Sequence, residues 1–157
     1  MASLSDIIDD LRRRVGELER RQRAQLRTGV VTQVDAGNGV ARVQLQEGDA
    51  QMITGWIPWA EPSAGANKTH NPPSVGQQVQ LLSESGDLYD AVIQGSLNSD
   101  ANGRPSAAGD EYVLASVGGA SITISGGGAS IVIKVGGSTI TLTEAGIVND
   151  APRIDLN

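Results

Sequence analysis

Apolar and polar positions along the chain follow three successive rhythms, and each predicts a different element. Leu4, Ile8, Leu11, Val15 and Leu18 are spaced alternately by four and three residues, a heptad seam that predicts a helix. Charges flank the seam with the acid first at i,i+4: Asp9 with Arg13, Asp10 with Arg14, Glu17 with Arg21, Glu19 with Arg23. Ser3 or Ser5 can cap the start, and the early aspartates suit the positive end of the helix dipole. The seam loses its apolar character at Gln22 and Gln25. Two arrangements bury such a seam: packing on the chain's own domain, or a short coiled coil between copies. A narrow seam favours the coiled coil, and its mixed aliphatics leave the number of strands open.

From about Arg27 to Leu97 the period drops to two. Thr28 to Val34 and Val40 to Leu45 read as strands joined by Ala36-Gly37-Asn38-Gly39, a hairpin with Val43 and Leu45 on one face. Met52 to Trp59 predicts a third strand, Val75 with Val79 to Leu82 a fourth, and Leu88 to Gln94 a fifth. The turn Glu84-Ser85-Gly86-Asp87 joins the last two. Five short antiparallel strands in this length fit a small barrel of the OB type. Its expected core is Val43, Leu45, Trp56, Trp59, Val79 and Leu81.

After a polar linker, residues 98–110, a nine-residue repeat begins. Gly recurs at Gly119, Gly128, Gly137 and Gly146, and alternating strands follow the first three: 121–125, 130–134 and 138–143. The glycine pairs between them supply the left-handed angles of tight corners. Tyr112 to Ser116 reads as an irregular first strand and Gly146-Ile147-Val148 as the start of a last one. The inward candidates are Val113, Ile122, Ile124, Ile131, Ile133, Ile140 and Leu142. Each strand offers only about two aliphatics, too few to close a core alone, so the segment predicts a stacked β-meander, β-prism or β-helix that buries its face between copies. A flexible linker does not place isoleucine at strict alternation.

Composition sharpens this picture. The organisation expected is a helix over 1–26, a barrel over 27–97, a linker over 98–110 and a β-rich spike over 111–157, a mainly β chain. Ten of the twenty glycines lie between Gly103 and Gly146. Phe and Cys are absent, and Trp56, Trp59, Tyr89 and Tyr112 are the only aromatics, so any core is aliphatic and thiol chemistry is excluded. Residues 1–27 carry seven Arg against five acids, whereas the rest carries five basic residues against thirteen acids. That acidic remainder repels phosphates and argues against nucleic acid as a partner. No apolar run is long enough to span a bilayer, and the start lacks the order of a secretory signal, so a product made in the cytoplasm is expected.

Candidate chemistry is sparse. His70, the single histidine, reads as a solvated loop residue, and Asp87 and Asp90 as surface carboxylates. No catalytic, metal-ligating or cofactor-binding residue is expected. The Gly-rich stretch lacks the Lys-Ser/Thr of a phosphate cradle.

Helix, barrel and Gly-rich strands, in that order, resemble the phage baseplate assembly protein V family. These are the central spikes of contractile tails, with counterparts in R-type bacteriocins. The resemblance rests on Gly29 to Asp35 followed by Val40 to Leu45, on Trp56-Ile57-Pro58-Trp59, on Pro73-Ser74-Val75-Gly76-Gln77-Gln78-Val79, and on Asp87 to Leu97. Ala151 to Asn157 also resembles spike sequence. The resemblance implies a homotrimer with a barrel collar and a β-prism needle. It would work in a virion tail or bacteriocin baseplate, next to hub and tail-tube proteins, and pierce the target outer membrane when the sheath contracts. Leu4, Ile8, Leu11, Val15 and Leu18, together with the seven inward candidates, would form the trimer core. Many such spikes hold an apical iron through a His-x-His pair, which this chain lacks, so no iron is expected: the needle ends without metal, a separate small tip protein caps it, or the chain is a shortened form, and the separate cap is the expectation taken. Two rivals come from other classes. An OB-fold oligonucleotide-binding module needs a basic groove with stacking aromatics, and a trimeric adhesin needs export and an anchor.

Overall fold

The computed structural model describes residues 3–47 and 50–153. Its elements are one helix, α1 (Leu4–Ala24), and eleven strands: β1 (Leu26–Asp35), β2 (Val40–Glu47), β3 (Ala50–Ile53), β4 (Ile57–Pro58), β5 (Gln78–Leu82), β6 (Val92–Leu97), β7 (Tyr112–Val117), β8 (Ala120–Ser125), β9 (Ser130–Val135), β10 (Ser138–Thr143) and β11 (Gly146–Asp150). Two compact units divide the chain between Gly103 and Arg104. The spike-like sequence at 154–157 lies outside the described residues.

In the first unit β1 is the central strand, paired with β2 on one side and β5 on the other. The sheet runs β3-β2-β1-β5-β6, and β4 adds to β2. Trp59, just beyond β4, forms a parallel bridge with Ile93 of β6, and the Ala60 N–H donates to the Ile93 carbonyl at 2.8 Å. That seam brings the β4 side of the sheet against β6 and closes the barrel there, while β3 remains paired on one side only. The core is Val31, Ala41, Val43, Leu45, Ile57, Val79, Leu81, Ala91 and Ile93, with Val34, Met52, Trp59 and Leu88 packed around it. The buried core is wholly aliphatic, with Trp59 packed against it.

The third and fifth strands differ from their sequence expectation. Residues 52–59 form two short strands on β2, because the Thr54 hydroxyl accepts the Val43 N–H at 3.0 Å and bends the chain out of the ladder. Leu88–Asp90 is a single 3-10 turn, capped by the Asp87 carboxylate accepting the Tyr89 N–H at 3.2 Å, and β6 starts only at Val92. Trp56 was expected in the core and is 50 % exposed. The cause is the two-residue period: Ile57 and Trp59 take the inner face, so Trp56, three residues from Trp59, faces out. Its ring lies 5.7 Å from the Arg42 guanidinium carbon, and the Arg42 Nε also donates to the Thr54 carbonyl.

Helix α1 begins with a capping box, in which the Ser3 hydroxyl accepts from the Asp6 N–H and the Asp6 carboxylate accepts from the Ser3 N–H. Its ion pairs mix i,i+3 and i,i+4: Arg13 with Asp10, Arg20 and Arg21 with Glu17, and Arg23 with Glu19. Asp9 meets Arg12 and not the expected Arg13. The helix end is seated on the barrel. Ala24 is buried, the Gln25 carbonyl accepts the Ser83 N–H at 2.9 Å, and the Gln25 amide donates to the Glu84 carbonyl.

The second unit is an open antiparallel meander in the order β11-β10-β9-β8-β7. Two-residue corners join β7 to β8 and β9 to β10, each with its first glycine left-handed, Gly118 at φ 57° and Gly136 at φ 58°.

Candidate functional site

Register, not sequence spacing alone, sets which residues of the meander share a face. Ile122 pairs with Ile133 and Ile133 with Ile140, while Ile124 pairs with Ile131 and Ile131 with Leu142. Two parallel aliphatic rows therefore cross the sheet on one face. Ile147, paired with Leu142, extends one row, and Val135, two residues beyond Ile133, adds to the same face. Val135 and Ile147 carry the same alternation but fell outside the residues singled out from sequence. The opposite face carries Thr123, Val132, Thr141 and Val148.

Val113 does not join the isoleucine rows as expected. It pairs with Thr123, on the hydroxyl-rich face, and the register slips at Leu114 so that Ala115 meets Ile122. Counted back from the corner at Gly118, the bulge moves Val113 and Tyr112 by one place, which periodicity cannot reveal.

No described residue from 104 onward is buried. Ile122, Ile131, Ile133 and Ile140 keep 38–42 % of their surface exposed, although they are the most apolar positions of the unit. Beside them lies an open concavity of about 350 Å³, lined by Ile133, Val135, Ile140, Asn149, Ala151 and Arg153 among others. A sheet with one aliphatic face and no layer packed on it is an incomplete structural unit.

The seam of α1 is left open in the same way. Leu4, Ile8, Leu11, Val15 and Leu18 are all exposed, joined by Ile7 next to the seam. Packing of the seam on the chain's own barrel, one of the two arrangements open from sequence, is not what the structure shows. In the barrel, Val43, Leu45, Val79 and Leu81 are buried, and Trp59 is partly buried against the core.

The Asp90 carboxylate accepts from the Ser83 hydroxyl and the Ser85 N–H, which together hold its pKa down. Among the described residues no group of three or more His, Asp or Glu is placed to hold a metal. No described helix is long and apolar enough to cross a membrane.

Glu61 carries a polar cluster that sequence reading missed. Its carboxylate accepts the Asn71 N–H at 2.7 Å, the Trp59 indole N–H at 2.8 Å and the Thr69 hydroxyl at 2.8 Å. These bonds, led by the Asn71 amide, lower its pKa below the usual carboxylate range. They tie both ends of the 61–71 loop to the residue that closes the barrel. A folded-state pKa below the unfolded one stabilises the fold above the unfolded value, and that contribution is lost as pH falls through the folded one. Urea unfolding of wild type and Glu61→Gln should therefore differ more at pH 7 than at pH 3. An equal difference at both would show that the carboxylate charge plays no part.

Comparison with known proteins bears on these surfaces. Residues 27–97 match the family model described as the type VI secretion system/phage-baseplate injector OB domain. Over 108 residues the chain is 34 % identical to a protein of Escherichia phage P2 named spike protein, a match covering 69 % of this chain and 49 % of that protein. The chain thus spans about half the length of the curated relative it matches.

Proposed function

Residues 27–97 belong to the baseplate V family of injector OB domains, and from that premise we propose that the chain is a structural spike of a contractile injection baseplate, acting as a homotrimer. The observation that carries this reading is the uncovered isoleucine face of a sheet in which no described residue is buried. Three copies related by a threefold axis turn three open faces into one dry core. In that arrangement the helices register the trimer, the barrels form a collar and the strands form the needle of a β-prism.

Magnitudes decide how the trimer is held. Full burial of an isoleucine is worth about 2 kcal/mol, so covering the exposed part of Ile122, Ile131, Ile133 and Ile140 yields roughly 3 kcal/mol per chain. Association costs about 4–15 kcal/mol in lost freedom, so this face alone does not hold three chains together. The six exposed aliphatics of α1 add roughly 6–9 kcal/mol per chain when covered. The seam and the needle face therefore act together, and a short coiled coil supplies the larger share.

A spike of this kind does mechanical work and needs no reacting group of its own. Sheath contraction supplies the energy, and a rod whose backbone groups are paired between strands passes axial force into a target outer membrane without unfolding. Iron does not fit the needle unit. The single histidine, His70, lies in the barrel loop, and residues 104–153 hold no His or Cys to ligate a metal. The oligonucleotide-binding rival gains one feature, the exposed Trp56 with Arg42 beside it. One indole and one guanidinium do not make the charged groove with successive stacking platforms that a single strand needs.

Sedimentation equilibrium of the full chain tests the reading. A mass about three times 16.2 kDa is expected. A monomer at micromolar concentration would overturn it.

A further inference from the structure

The polar segment after β6 is not slack chain. Asn102 donates its side-chain amide to the Gly76 carbonyl at 2.9 Å, although the two residues are 26 apart in sequence. Behind it Ser99 and Asn102 close a tight turn, the Ser99 N–H donating to the Asn102 carbonyl at 2.9 Å and the Asn102 N–H to the Ser99 carbonyl at 3.1 Å. The receiving turn, 74–77, is anchored to the central strand. The Gly76 N–H donates to the Val31 carbonyl at 2.8 Å, and the Val31 N–H to the Gln77 carbonyl at 2.9 Å. The Gln77 side chain accepts from the Ser74 N–H and donates to the Ser96 hydroxyl at the end of β6. The unit boundary falls at Gly103, directly after the clamp, and not where the polar residues begin.

We propose that Asn102, with Gln77 behind it, is a strut that fixes where the chain leaves the barrel and so shortens the free connection to the needle. Its importance for puncture rests on the spike reading, but the clamp itself does not. Residues 98–103 undocked could extend by about 3.4 Å each, roughly 20 Å of slack. Slack of that length would let the needle lag when the collar is driven forward. Docking passes axial load from residue 102 through the 74–77 turn into β1, whose Val31 is in the middle of the core. The Asn102 amide is the bond that holds residue 102 to the 74–77 turn, whose own backbone bonds to β1 do not depend on it, so removing that amide undocks the segment without opening the barrel.

Hydrogen exchange of the full chain tests this. In Asn102→Ala the hydrogen-bonded amides of residues 99 and 102 should exchange at least about tenfold faster, while those of β1 and β5 keep their wild-type rates. Asn98→Ala, which removes no side-chain hydrogen bond, should leave the segment unchanged. Equal rates in wild type and Asn102→Ala, or fast exchange already in wild type, would overturn the strut. The native mass of the same samples separates the two ideas. A trimer in which Asn102→Ala loses protection only at residues 99 and 102 supports both. A monomer showing the same selective loss keeps the clamp and removes the spike.

Discussion

Replacing Ile133 with Asp should convert the full chain from trimer to monomer. Ile133 is the middle of an aliphatic row, between Ile122 and Ile140, on the isoleucine face of the second unit. In a threefold assembly built on that face, the substitution brings three carboxylates together near the axis. An uncompensated buried charge costs several kcal/mol even after relaxation, and three like charges repel as well. The roughly 3 kcal/mol per chain available from covering the face cannot offset that. Thr123→Asp, on the opposite face and paired with Val132, is the matched control and should leave the trimer intact. Sedimentation equilibrium reads both. A trimeric Ile133→Asp would show that this face is not the axis, and loss of the trimer in both variants would show that the two faces are not distinguished.

Gly29→Ala should cost the barrel about 3 kcal/mol, a large share of a small domain's stability. Gly29 sits in β1 between Leu45 of β2 and Val79 of β5, with a strand on each side. A Cβ there would lie 2.5 Å from Val43 Cγ1, 2.7 Å from Leu45 Cδ2 and 2.7 Å from the backbone oxygen of Gln44. The two side chains could rotate, but the carbonyl oxygen belongs to the ladder and cannot move without breaking register. Gly16 in α1 is the contrasting position, with nothing within 4 Å of its added Cβ. There the same change should gain up to about 1 kcal/mol from helix propensity. Urea unfolding midpoints measure both. An unchanged midpoint for Gly29→Ala would mean that the sheet has room the geometry denies.

Periodicity made much of this fold legible. The heptad in α1 and the alternation in β2, β8, β9 and β10 report which residues share a face, because side-chain direction follows 3.6- and 2-residue periods. Where the backbone departs from a regular element, the signal fails. Thr54 breaks the third strand through a hydroxyl bond to β2, and the bulge at Leu114 shifts the register of β7, so Val113 faces away from where even alternation puts it, whereas Trp56 faces out because alternation itself places Ile57 and Trp59 inward. Glu61 and Asn102 gave no sequence signal, since each acts on residues brought close only by folding.

What the sequence by itself determined was the order of helix, barrel strands and Gly-rich strands, the aliphatic rows and heptad seam they carry, and the lack of cysteine and of a second histidine. These are properties of residue type and near-neighbour spacing. Tertiary structure alone decided that the barrel closes through Trp59 and Ile93, that Gly29 has no room for a side chain, that the Asn102 amide meets the Gly76 carbonyl, and that the heptad seam and the isoleucine face stay exposed among the described residues. Each of those depends on pairings between residues far apart along the chain, whose register and closure no local period encodes.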